Sequence, residues 1–399
     1  MTPYRPENAF LKQSKLRQIF ERAPKTAINL GLGQPGEDTP PFIREAAARV
    51  VREQALGYTL NAGLLPLREK LAAEYASVGV TPDRICVTAG VQEALYALFY
   101  VLLDNSTEIV LPDPGFLTYP SLSGLAKCTP RYYTLRSEDN FQFRADRLIE
   151  AVTPRTSVVL LGHPSNPTGS VAPQEELRKL VEYAKNRKEG PLWIISDEVY
   201  FGMSYVNGDL SGTMGAYLDE YPYIILLRGA SKSHHMTGWR LGWVVLPEEL
   251  AKSYIAAHQY VTTCVSAVSQ YTLLAVRDTQ EEQEWLQYQN QLYRQKRDLV
   301  ASYLSDVRPL FGGEGAFYWV MQLSEADRAW SRGLQIDGFD LAAAPDDEKW
   351  VLKTMNDHLV TTTPGSAFGK QTDGFIRISY GPRMEQLEEG LKRLKNVLT

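Results

Sequence analysis

The sequence predicts an α/β fold: a large domain with a mostly parallel, seven-stranded sheet between helices, plus a smaller α+β domain. Three observations carry this. From Ile85 onward, short β-rich runs alternate with helical stretches. Several of those runs are almost continuously apolar, such as Val158-Val159-Leu160-Leu161 and Ile224-Ile225-Leu226-Leu227, as in strands covered on both faces. After Pro247 the alternation stops.

Thr39 followed by two prolines opens a helix over 41–54, since proline suits the first helical turn. A second helix fits 65–78. Strands are expected at 85–88, 108–111, 132–135, 157–161, 193–196, 223–227 and 242–246, with helices such as 91–103 and 174–188 between them. The stretch 248–276 reads as one long helix and 281–304 as another. Strands at 316–322, 358–362 and 375–379 precede a last helix over 384–397. The large domain is placed at 46–275, and the small one combines 1–45 with 276–399.

Composition narrows the function. The 399 residues are 44% apolar and 22% charged, the balance of a globular chain. Lys and Arg number 42 against 47 Asp and Glu, a net charge of −5 that argues against nucleic acid as a partner. The longest apolar run, 94–103, is too short to span a bilayer. The first residues have no apolar signal-peptide core, so a soluble cytoplasmic protein without a membrane partner is expected. Cys86, Cys128 and Cys264 are too widely spaced for a zinc knuckle or a redox pair. The five histidines form no metal-binding pattern, so no metal site is expected.

Gly31, Gly33 and Gly36 spell the dinucleotide-binding fingerprint. Pro35 interrupts it, and two acids and two prolines precede any helix, so the seat for a pyrophosphate is missing. The informative residues stand where strands end. Gly90 turns a strand into a helix whose first N–H groups suit a phosphate. Asn166 is framed by Pro164 and Pro167 at the sheet's C-terminal edge, where open α/β sheets bind ligands. Asp197 and Glu198 follow a buried strand. Neighbours on an extended chain point apart, so a single acid, with Tyr200 nearby, reads as the partner of a bound cation. Lys232 follows another apolar strand among small residues, where burial lowers its pKa and frees a nucleophilic amine. Arg377 interrupts an apolar strand and needs an anion, and its planar fork suits a carboxylate.

Taken together, these pieces resemble the class I/II aminotransferases, pyridoxal-phosphate enzymes of fold type I in the aspartate aminotransferase-like superfamily. The match is carried by Tyr58 with Gly63 (GYTLNAGLLPLRE), Gly90 (TAGVQEAL), Phe116 with Tyr119 (PDPGFLTYP) and Asn166 (SNPTG). It continues through Asp197 to Tyr200 (SDEVY), Lys232 to Arg240 (SKSHHMTGWR), Gly365 (TPGSAFG) and Arg377 (FIRISYG), over nearly the whole chain. The resemblance implies pyridoxal 5'-phosphate as cofactor, an L-amino acid and a 2-oxo acid as substrates, and ping-pong kinetics. Lys232 would carry the internal aldimine and act as general base. Asp197 would keep the pyridine nitrogen protonated. Asn166 and Tyr200 would bond the phenolic oxygen, and Phe116 would stack on the ring. Gly90, Val91, Gln92, Ser231 and Arg240 would hold the phosphate, and Tyr58 would reach the neighbouring subunit's phosphate in a homodimer. Arg377, with Asn166, would clamp the substrate α-carboxylate, and the Gly33 backbone would close over it.

The sequence departs from the family pattern in four places. Gly229 replaces a common phosphate-binding Ser, and Arg228 takes a usually small or polar position. His163 stands where Asn is common, and His234-His235 replace an aromatic-small pair. These histidines either pack behind the cofactor or steer the reaction. A lyase, cyclase or other α-carbon enzyme of the same fold would share every cofactor contact and is the alternative function. Intact Lys232 speaks against a non-catalytic sensor. Tyr4, Phe10, Phe20 and Phe116 favour a neutral or aromatic substrate side chain.

Overall fold

The apolar runs form the centre of the molecule because helices cover both of their faces. The computed structural model describes residues 15–205, 212–336 and 341–398. Helix α1 (Lys15–Arg22) and strand β1 (Ile28–Asn29) precede α2 (Pro41–Glu53) and α3 (Leu65–Ala73). Then come β2 (Ile85–Thr88), α4 (Val91–Leu102), β3 (Glu108–Asp113), α5 (Thr118–Ala126), β4 (Thr129–Thr134) and α6 (Ala145–Ala151). The alternation continues with β5 (Thr156–Gly162), α7 (Gln174–Asn186), β6 (Trp193–Asp197), β7 (Ile224–Gly229), α8 (Ala230–Ser233) and β8 (Gly242–Val245). Three helices follow: α9 (Glu248–Thr262), α10 (Ala267–Val276) and α11 (Gln280–Leu304). The C-terminal third holds β9 (Leu310–Gly312), β10 (Tyr318–Gln322), α12 (Glu325–Ser331), α13 (Asp346–His358), β11 (Val360–Thr361), β12 (Thr363–Pro364), β13 (Phe375–Ser379) and α14 (Met384–Leu398).

The main sheet has seven strands in the order β2-β8-β7-β6-β5-β3-β4. Only β8 runs antiparallel to its neighbours. This is the expected mostly parallel sheet. Alternate residues of one strand enter opposite cores: Val159 and Leu161 pack on one face, Val158 and Leu160 on the other. A second sheet, β12-β13-β10-β9, is antiparallel, and β1 pairs with β11. A third core joins Ile19 and Leu30 to Phe317, Trp350, Ile376 and Leu391 of the C-terminal third. Among the described residues no helix is long and apolar enough to cross a membrane.

Three local expectations are corrected. The long helix over 248–276 is two helices. Thr263 takes a left-handed φ of 60° after α9, and the Ser266 side chain caps α10 by accepting from Ser269 N. Helix α3 stops at Ala73, and residues 76–78 form a separate 3-10 turn. His358 ends a helix rather than opening a strand: α13 runs to it, and Leu359 turns left-handed before β11. Helices α12 and α13 lie where the sequence reading places no element.

The fold brings the C-terminal ends of β2, β5, β6 and β7 to one edge of the sheet, each feeding a turn that carries a motif residue. The turn with Asn166 also docks on the small sheet. Gly313 N and Gly315 N donate to Thr168 O and Gly169 O. A Cβ on Gly312, whose φ is +79°, would fall 1.7 Å from Thr168 O. Gly312→Ala is therefore expected to cost at least about 1–3 kcal/mol, since both the backbone angle and the contact oppose it. Denaturant midpoints of the variant and parent check this, and an unchanged midpoint would contradict the close approach.

Candidate active site

Strand β6 delivers Asp197 at its last residue. Its Oδ2 accepts from the Tyr119 hydroxyl at 2.8 Å and its Oδ1 from Val199 N at 3.3 Å. Burial raises the carboxyl to about pH 6, against the lowering effect of those two hydrogen bonds. Gly162, paired with Asp197 across β5 and β6, makes the arrangement possible, because a Cβ there would lie 2.8 Å from the Tyr119 hydroxyl. Glu198 faces elsewhere. It accepts from Ser196 Oγ (2.9 Å) and Met214 N (2.9 Å) and pairs with Arg228 at 2.8 Å.

Strand β7 leads directly into α8, which holds Lys232. The ammonium donates to Gly33 O at 2.7 Å. Its pKa falls from the usual 10.5 to about 8, through loss of hydration first and then the Arg377 and Arg240 charges, with Asp197 opposing. Helix α11 fixes the turn from behind: Gln289 Nε2 donates to Lys232 O (2.7 Å) and Trp285 Nε1 to Ser233 O (2.9 Å).

Arg377 projects from β13 and is buried. Its Nη1 donates to Asn166 Oδ1 at 2.6 Å, and its Nη2 to Gly31 O and to Thr363 Oγ1 (3.3 Å). The guanidinium lies over the rings of Tyr318 (4.4 Å) and Phe368 (4.8 Å). Its Nε–H is buried and has no hydrogen-bond partner among the described residues. Tyr318 also shares a hydrogen bond with the Tyr200 hydroxyl.

At the opposite end, Gly90 takes a φ of +82° before α4. A Cβ there would lie 2.7 Å from Arg240 Nη2. Arg240 is held by Thr237 O (3.0 Å) and Ala89 O (3.3 Å).

These groups border one cavity of about 660 Å³. Gly33, Val91, Gln92, Phe116, Asn166, Asp197, Tyr200, Ser231, Lys232, Arg240 and Arg377 all line it, and Gly90 touches it through Arg240. Tyr58 does not: it is 90% exposed on the outer surface. Phe20 lines the cavity with Phe116, whereas Tyr4 and Phe10 lie outside the described residues. The unusual histidines stand behind it. His163 bonds Ser196 Oγ (3.1 Å), and His234 bonds Glu282 (2.8 Å) and Ser233 Oγ (2.8 Å). His235 bonds Tyr293 (3.3 Å), and burial first of all lowers its pKa to about 4. Sequence reasoning missed Tyr318, Gly162 and Leu32, and gave Tyr119 no role. Tyr119 lay inside a motif of the family resemblance, and Leu32 inside the rejected glycine fingerprint.

A sheet-edge cavity built around a lysine, an acid and an arginine defines an enzyme of the α/β class. Residues 25–394 match the family model "Aminotransferase class I and II". The chain is 31% identical to an aspartate aminotransferase of Pyrococcus horikoshii, over 97% of this chain and 95% of that one. It is 30% identical to aromatic-amino-acid aminotransferase 2 of Thermococcus litoralis, over 96% of this chain and 95% of that one. Its fold matches the structure of the Thermus thermophilus aspartate aminotransferase with maleate at a TM-score of 0.87 and 27% identity, covering 100% of both chains. The chain belongs to the class I and II aminotransferases, enzymes of fold type I.

The electrostatics of Lys232 can be read directly. In the apoprotein, reductive methylation of Lys232 by formaldehyde, followed by peptide mass spectrometry, is expected to titrate with a midpoint of about 8. Arg377→Met, which removes a neighbouring positive charge, raises the midpoint. Asp197→Asn, which removes the opposing negative charge, lowers it. A midpoint near 10.5 in all three proteins would contradict the burial and field account.

Proposed function

We propose that this chain moves an amino group from an L-amino acid to a 2-oxo acid with pyridoxal 5'-phosphate bound in the cavity described above. The observation that carries the reading is the convergence of Lys232, Asp197 and Arg377 on one cavity with a cationic cradle at its end. The residues fit the group. The first turn of α4 and Arg240 offer N–H donors and a positive charge where Gly90 leaves no side chain, the chemistry a phosphate requires. Gly90, Val91, Gln92, Ser231 and Arg240 would hold the phosphate. Asp197 would hold the ring nitrogen, Asn166 and Tyr200 the phenolic oxygen, and Phe116 a ring face.

When bound, pyridoxal phosphate supplies an aldehyde for an amine and a ring that accepts electrons from the α-carbon. Lys232 supplies the resident amine. With the cofactor bound, Lys232 would be its covalent anchor and, as a neutral amine, the general base that holds and moves the substrate's α-proton. Tyr119 and Val199 hold Asp197 in orientation. Arg377 orients the α-carboxylate with its planar fork, and Asn166 steadies that fork. The oxo acid leaves before the second substrate enters, so kinetics are ping-pong. No observation favours the lyase or cyclase reading, and His234 and His235, which were candidates to divert the reaction, do not line the cavity.

The same reading places the cofactor in a large domain, 46–275, and Arg377 in a small domain of 1–45 with 276–399. The separate core that joins Ile19 and Leu30 to the C-terminal third supports this division. Unpaired Cys86, Cys128 and Cys264 suit the reducing cytoplasm. A homodimer is part of the proposal. Tyr58, Leu60, Tyr96, Tyr100 and Tyr260 are exposed large apolar side chains on the loop before α3, on α4 and on α9. These elements are tied together: Asn61 donates to Ile255 O (2.6 Å) and bonds His258 (2.8 Å), which faces Glu93 (3.3 Å). Such a patch supports an interface on this side of the molecule.

Two outcomes are expected. Adding one amino acid to the purified yellow protein without an oxo acid bleaches the cofactor absorption, and an oxo acid restores it. A band that returns unaided would instead indicate elimination or cyclisation. Light scattering gives twice the chain mass, and Tyr100→Glu with Tyr260→Glu shifts it towards the monomer. A monomeric parent protein would remove Tyr58 from the reading.

A further inference from the structure

The segment Gly31-Leu32-Gly33 is held between two of the charged groups of the site. Gly31 O accepts from Arg377 Nη2, and Gly33 O accepts from Lys232 Nζ at 2.7 Å. Leu32 lies between these anchors, lines the cavity and is 44% exposed. Phe20 of α1 lies against the same segment, since a Cβ on Gly31 would sit 2.8 Å from Phe20 Cε1. Phe20 lines the cavity as well. A substrate with its α-carboxylate at Arg377 and its α-amine at Lys232 carries its side chain into the space this segment bounds.

The charges around that space are uneven. Among the described residues that line the cavity, the cations are Lys232, Arg240 and Arg377. Arg240 is fixed at the Gly90 end by Thr237 O and Ala89 O. Arg377 is engaged by the α-carboxylate, and Lys232 serves the transfer as a neutral base rather than as a fixed cation. The carboxylates are Asp197, bonded to Tyr119, and Glu21, next to Phe20 in α1. A second substrate carboxylate would leave water with no further cation among the described residues to meet it, and against apolar walls. That is costly, whereas a large apolar side chain gains by the same desolvation.

Resting on the amino-transfer reading above, we propose that Phe20 and Leu32 form the side-chain wall of the substrate site and select large neutral L-amino acids, aromatic ones foremost, over dicarboxylic ones. Many relatives named for aspartate share the framework, so the selection lies in these wall residues and the charge balance beside them.

The test is single-turnover bleaching of the holoenzyme by L-phenylalanine, L-alanine, L-aspartate and L-glutamate, compared as rate per concentration. Phenylalanine is expected to be fastest, ahead of aspartate by about tenfold or more. Phe20→Ala and Leu32→Ala are each expected to reduce the phenylalanine-to-alanine ratio by about tenfold or more, a ratio in which differences in active fraction cancel. Leu32, being part exposed, keeps the test available if the Phe20 variant does not fold. Aspartate or glutamate outrunning phenylalanine would overturn the proposal while leaving amino transfer standing, and would mean that a cation enters from elsewhere. Phenylalanine winning with the ratio unmoved in both variants would also overturn it. Failure of every amino acid to bleach the holoenzyme would instead strike at the amino-transfer reading itself.

Discussion

Everything in the site answers to the burial of one ammonium group. Lys232 is withdrawn from water between two guanidinium groups, with a single carboxylate in opposition. Left to itself, a lysine so placed would swing out to solvent, as long charged side chains do. Here it is prevented from doing so on every side. Gly33 O receives its Nζ, while Gln289 and Trp285 hold the main chain of its turn. The result is an amine kept partly neutral at ordinary pH by position alone, which is the property a nucleophile and proton carrier requires.

Fixing that turn is the work of a polar chain on the far side of the sheet. His163 bonds Ser196, Ser196 bonds Glu198, and Glu198 pairs with Arg228 at 2.8 Å. Glu74 links Arg228 to Arg277 at 3.9 and 2.5 Å. Glu282 then joins Arg277 to His234, each at 2.8 Å, and His234 reaches Ser233 beside Lys232. The chain starts next to the Asn166 turn and passes the strand that ends in Asp197. It finishes at the lysine turn, so it bridges the three segments that bear the site. Arg228 and His234, odd when read singly in the sequence, become members of one network in which each carboxylate has a partner.

How much of this could be read from the sequence follows the range of each interaction. The strands, and the motif residues at their ends, were legible because strand periodicity and turn chemistry are local. Lys232, Asp197, Asn166 and Gly90 each sit within a few residues of the signal that exposes them. The helix break at Thr263 was masked because the apolar spacing continues across it, with only the Ser266 cap to mark it. Tyr318 was invisible because its partners, Tyr200, Arg377 and Gly33, are far away in the chain and meet it only after the two sheets dock. Gly162 was hidden for the same reason: its need to be glycine comes from Tyr119, a side chain on another element. Tyr58 lies outside the cavity of its own chain, and its expected role belongs to the proposed homodimer.

The glycines that mimic a dinucleotide fingerprint show how a rejected motif can still carry information. A Cβ on Gly31 would fall 2.7 Å from Thr362 O, one on Gly33 2.5 Å from the Tyr318 hydroxyl, and one on Gly36 2.6 Å from Arg383 N. All three positions are therefore required to lack a side chain by a neighbour from the C-terminal third, and none by a pyrophosphate. Glycine marks close approach of a backbone to something, and the sequence alone does not say to what. Here the approach threads the 31–36 segment along the small sheet, which aims the Gly31 carbonyl at Arg377 and the Gly33 carbonyl at Lys232. The two groups that would grip the substrate, one from each sheet, are thus referenced to the same short strip of backbone. A shift of either sheet relative to that strip would alter the spacing between carboxylate clamp and amine. The spacing of the substrate's own carboxylate and amine is fixed by covalent geometry, so the strip sets the register in which the two halves of the molecule can act together.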